Sequence, residues 1–72
     1  MKLSELKPGE SGIIKEFLDL DLSIKLMEMG FLPGERVLLE RIAPLGDPVA
    51  IKVSGYEVSV RKADASTIIL HI

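Results

Sequence analysis

The chain has no cysteine, no tryptophan and one histidine, His71. Without thiols it can form no disulfide, no thiolate zinc site and no iron–sulfur cluster. A metal site needs several convergent ligands, and His71 has no ligand-type neighbours in sequence, so it reads as a surface residue on the last strand. Aromatic residues are limited to Phe17, Phe31 and Tyr56, too few to line the groove of a general peptide-binding barrel. The net charge is −2 and Arg61-Lys62 is the only basic pair. The basic stripe that displaces phosphate counterions is missing, and nucleic acid is not an expected partner. No apolar run approaches the roughly 20 residues of a membrane helix. Met1-Lys2-Leu3-Ser4-Glu5-Leu6 also lacks the apolar stretch of a signal peptide. The expectation is a soluble protein.

Catalytic patterns are equally scarce. Ser4, Ser11, Ser23, Ser54, Ser59 and Ser66 have no histidine nearby and no nucleophile elbow around them. None of the six glycines is followed by Gly-Lys-Ser/Thr, so there is no phosphate-binding loop. The reading is a binding module and not an enzyme, with no cofactor.

What the chain does have is aliphatic residues and turns. Of its 72 residues, 47% are apolar, mostly Ile, Leu and Val. That length suits one domain, spanning 1–72, and compact branched side chains suit the inside of a small barrel. Turn signals recur at Lys7-Pro8-Gly9-Glu10, Leu32-Pro33-Gly34-Glu35, Pro44-Leu45-Gly46-Asp47-Pro48 and Ser54-Gly55. Pro sets the first corner of a type II turn and Gly takes positive φ at the second. Between them lie five β-rich runs: 11–18, 36–43, 49–53, 56–61 and 67–72. In the third, Val49, Ile51 and Val53 alternate with Ala50 and Lys52. In the fourth, Tyr56, Val58 and Val60 alternate with Glu57, Ser59 and Arg61. Period-two alternation gives one packed face and one wet face, and Ser54-Gly55 joins the two runs as a tight hairpin. The fold class is mainly β, a small closed or half-closed barrel of about five strands.

The exception is Asp21 to Gly30, a short helix inserted after the first strand, with Asp21 as N-cap and Gly30 as the residue of positive φ past its end. Leu22, Leu26 and Met29 form its packed stripe. Ile24 and Met27 fall on nearly the opposite side, and Phe31 joins them if the helix runs on. This second apolar face is either covered by a loop or the N-terminal segment, or is a docking patch. Glu16, Asp19 and Asp21 form the densest acidic cluster; carboxylates just before a helix are accounted for by capping and by the helix dipole. The loop Ala43 to Pro48 is stiffened by two prolines. Leu45 near its tip either plugs one end of the barrel or is presented to a partner at little entropic cost.

One ordered set of residues has a familiar look. Leu26-Met27-Glu28-Met29-Gly30-Phe31-Leu32-Pro33-Gly34 is followed by Ala43-Pro44-Leu45-Gly46-Asp47-Pro48, Val53-Ser54-Gly55-Tyr56, Val60-Arg61-Lys62-Ala63-Asp64-Ala65 and Ile68-Ile69-Leu70. In this the chain resembles the FeoA family of small cytosolic proteins of prokaryotic ferrous iron uptake. The resemblance implies an SH3-like barrel with a helical insertion. It also implies an accessory or regulatory role beside FeoB, the ferrous iron permease, with docking on the permease's cytosolic part. A second reading is a divalent transition-metal-sensing domain, like the C-terminal domain of iron-dependent repressors. The expected partner-facing residues are Ile24, Met27, Phe31 and Leu45, on a surface that could also join two copies of the chain weakly. The expected core holds Leu22, Leu26, Val37, Val49, Ile51, Val53, Val58 and Val60, and the expected location is the cytoplasm.

Overall fold

The computed structural model describes residues 1–71. Five strands, β1 (Ser11–Phe17), β2 (Arg36–Ile42), β3 (Val49–Val53), β4 (Tyr56–Val60) and β5 (Ile68–Leu70), form one antiparallel sheet in the order β4-β3-β2-β1-β5. Helix α1 (Leu20–Glu28) follows β1, and the single-turn helix α2 (Lys62–Ala65) joins β4 to β5. The register shifts between Leu39 and Arg41 on β2, and between Ile14 and Glu16 on β1. Irregularities of this kind bend and twist a strand, which curves the sheet around its own apolar face. The alternation of β3 and β4 places the hairpin correctly. Ser54 (φ 52) and Gly55 (φ 81) both take the positive φ that a two-residue hairpin turn of this hand requires.

The core contains Leu26, Val37, Val49, Ile51, Val53 and Val60, while Leu22 and Val58 are half-buried against it. Ala50 is buried as well as its neighbours on the packed face. Tyr56, expected with Val58 and Val60 inside, is exposed at the hairpin end of β4. The N-terminal segment also contributes. A 3-10 turn over Leu3–Glu5 is closed by the Glu5 carboxylate accepting from the Lys2 N–H at 2.7 Å, and it buries Leu3 and Leu6. Lys2 bridges Ile69, and the Leu70 N–H donates to the Met1 carbonyl at 2.7 Å. The last expected strand reached Ile72, and that residue lies outside the described ones.

Helix α1 starts two residues earlier than expected from the sequence. Asp19, not Asp21, is its N-cap and accepts from the Leu22 N–H at 3.0 Å. Asp21 sits in the first turn, where its charge opposes the helix dipole. At the other end the Gly30 N–H donates to Met27 O and the Phe31 N–H to Leu26 O, both at 3.0 Å, with Gly30 at φ 105. This is a Schellman closure, whose usual companion is an apolar contact between the residue after the glycine and the last full turn.

Candidate docking surface

That closure decides where Phe31 goes. The helix ends at Glu28, the chain reverses at Gly30, and Phe31 enters the core with Leu26. It is fully buried, 0% exposed. The expectation that Phe31 extends the outer helix face is therefore corrected: it cannot touch a partner without unfolding the domain.

Ile24 and Met27 do lie on the outside, 64% and 38% exposed. Because α1 begins at Leu20, that residue joins them at i, i+4 and i+7 as one apolar stripe, and it is 79% exposed. A helix starting after Asp21, as the sequence predicts, would leave Leu20 out of this stripe.

Leu45 is 97% exposed. It does not plug the barrel. Its loop is held by backbone bonds, with the Ala43 N–H donating to Pro48 O at 3.0 Å and the Gly46 N–H to Ala43 O at 2.8 Å. The Asp47 carboxylate accepts from the Lys62 N–H at 2.9 Å, which fastens the loop to the start of α2. The same segment faces α1 on another side, across a cleft of about 210 Å³ lined by Lys25, Leu26 and Met29 on one wall and Ser59, Val60, Arg61 and Asp64 on the other. Helix α1 and the Leu45 loop thus both border residues 61–64, and Ile24, Met27 and Leu45 are apolar residues on fixed supports.

Charge at the surface is mostly local. Arg41 on β2 reaches across β3 to Glu57 on β4 with two hydrogen bonds, 3.0 and 2.7 Å. That hydrogen bond, and then the charge of the carboxylate, raise the guanidinium above its ordinary pKa. Arg61 donates to Asp64 at 3.2 Å. Among the described residues no group of three or more His, Cys, Asp or Glu is placed to hold a metal ion. Asp19 of the acidic cluster is committed to the helix cap, and Glu16 lies beside Lys15 at 3.9 Å. No helix is long and apolar enough to cross a membrane.

The FeoA domain family matches residues 1–71. The chain belongs to the FeoA family. A fusion protein of Porphyromonas gingivalis, combining Fe(2+) transport protein A with the Fe(2+) transporter FeoB, is 38% identical over 69 residues, which are 94% of this chain. The chain spans 8% of the length of that curated relative. Among solved structures, iron(II) transport protein A of Clostridium thermocellum is 40% identical, with a TM-score of 0.92 over 100% of this chain and 45% of that one. The FeoA of Stenotrophomonas maltophilia, solved with zinc and described as a prokaryotic SH3 domain protein, is 28% identical with a TM-score of 0.86, covering 99% of this chain and 89% of that one. The FeoA domain here is thus a mainly β, SH3-like fold with a helix after its first strand. Its family is a small transport-associated domain.

Proposed function

We propose that this chain is a non-enzymatic accessory module of a ferrous iron uptake system. It acts in the cytoplasm as one domain and docks on the cytosolic part of a FeoB-type permease. The observation that supports this most is the Porphyromonas gingivalis relative, where the matching segment shares a polypeptide with a ferrous iron transporter. Fusion holds two domains at high effective concentration, an arrangement useful to partners that work in contact.

The surface that suits the role is the outer stripe of α1, Ile24 and Met27, with Leu45 on its braced loop. Apolar side chains on rigid supports lose little freedom on binding, and methionine adapts to an irregular partner. The test is a pull-down and titration with the permease's cytosolic region, using Met27→Glu and Leu45→Glu. Both variants are expected to keep the fold and melting temperature while losing roughly tenfold or more in affinity, the scale at which truncated anchors act. Unchanged affinity in both would move the docking surface elsewhere, and no binding by the unaltered chain would overturn the reading.

A further inference from the structure

The sheet has two outer strands, and they are finished differently. The edge of β5 is covered: Lys2 bridges Ile69, and the Leu70 N–H is taken by Met1 O. The edge of β4 is not. The two-residue turn makes Val53 and Tyr56 the closing pair, followed by Ile51 with Val58 and Val49 with Val60. In this register those pairs exchange hydrogen bonds, and Glu57 and Ser59 turn their backbone N–H and C=O away from β3. Among the described residues neither has a backbone partner on that side. Native sheets blunt such edges with lysine, proline or a bulge. Strand β4, Tyr-Glu-Val-Ser-Val, has no lysine and no proline, and it pairs with β3 without a register shift.

At the Val60 end this open edge runs into the cleft against α1. The apolar part of the cleft is Leu26, Met29 and Val60. Its charged part is Lys25, Arg61 and Asp64. Arg61 and Asp64 are paired with each other, and among the described residues Lys25 has no carboxylate within ion-pair distance. The cleft therefore carries one unbalanced positive charge beside an apolar floor and a row of unused backbone groups.

We propose that the β4 edge is a docking site for an extended segment of a partner protein, which adds as an antiparallel strand. The segment pairs with the backbone of Glu57 and Ser59. It sets one apolar side chain opposite Val60, against Leu26 and Met29. The residue two before that side chain in the partner's sequence, on the same face of the added strand, is acidic and faces Lys25. Backbone pairing gives strand addition its affinity and side-chain pockets give its specificity, while the charge match selects against basic segments. This surface is separate from the outer stripe of α1 and does not depend on the permease reading.

The probes are two synthetic peptides, acetylated and amidated: Glu-Thr-Leu-Thr-Val-Thr-Thr, and the same peptide with lysine in the first position. Each is titrated into the nitrogen-15-labelled protein while the Glu57 and Ser59 amides are followed by NMR. The glutamate peptide is expected to shift both amides saturably, and the lysine peptide to bind roughly fivefold or more weakly, as electrostatic mismatch requires. Lys25→Glu should reverse that preference. Ser59→Pro should abolish the shifts at an unchanged melting temperature, because proline is tolerated where an edge N–H points outward. If that variant does not fold, Lys25→Glu alone decides. Equal binding of the two peptides, or no response at Glu57 and Ser59, overturns the proposal. So does a concentration-dependent shift of these amides without peptide, which would place a second copy of the chain on the edge.

Discussion

The Asp47 carboxylate accepts a hydrogen bond from the backbone N–H of Lys62, 15 residues further along, at 2.9 Å. The bond joins the loop that carries Leu45 to the first residue of α2, which has no side-chain cap of its own. One carboxylate thus satisfies an otherwise open helix donor and braces the most exposed leucine of the molecule.

Asp47→Ala is expected to lower stability by about 1 kcal/mol, the usual worth of a cap of this type. Urea denaturation measures the loss, and faster amide exchange at Gly46 would show the loop loosened. Asp47→Asn, which keeps an acceptor oxygen, should recover most of it.

Phe31→Ala is expected to cost about 3–5 kcal/mol, because a fully buried ring leaves a cavity that the core cannot close. Ile24→Ala, on the exposed side of α1, should stay within about 0.5 kcal/mol. Thermal or chemical denaturation of the two variants checks the contrast, and similar losses in both would mean that α1 is rotated from the position described.

Ile51→Ala should cost about 2–5 kcal/mol, since Ile51 is fully buried at the centre of β3. Leu45→Ala should change stability by no more than about 0.5 kcal/mol. A loss below about 1 kcal/mol at Ile51 would put it on the wrong face of the sheet.

Two glycines separate space from conformation. A Cβ on Gly12 would stand 2.9 Å from the Leu70 Cδ1, whereas one on Gly34 would meet nothing within 4 Å. Gly34, however, sits at φ +91. Gly12→Ala should cost about 1–3 kcal/mol through repacking, and trimming Leu70 to Val should relieve part of it. Gly34→Ala should cost a similar 1–3 kcal/mol, roughly the strain of that backbone region, and no neighbouring substitution should relieve it. Double-variant cycles measured by denaturation distinguish the two.

The strands were legible because β3 and β4 alternate with period two and are bounded by turn residues. The helix was legible from Gly30 and an aspartate before it, but Asp19 and Asp21 satisfy the same capping rule, and only the fold chooses between them. Phe31 was misplaced because a helical wheel continued past Gly30 puts it outside. The rule that a Schellman glycine is followed by an inward apolar residue would have placed it correctly. The 3-10 turn of Leu3 and Leu6 and the α2 segment are too short to show a period, so their burial follows from tertiary contacts alone. For the docking surface, the sequence could name Leu45 but not its direction. The bond that settles it, Asp47 to Lys62, joins residues far apart in the chain.

The bridge from Lys2 to Ile69, with the bond between Met1 and Leu70 beside it, brings the beginning and the end of the described chain to one point on the surface. A domain closed in this way can be spliced into a longer polypeptide as a side loop, because the host strand leaves and returns at nearly the same place. Such an insertion imposes little stretch on its host. By the same geometry, a short peptide joining the two ends, with new termini opened at Ser54-Gly55, would yield a circular permutant of unchanged architecture.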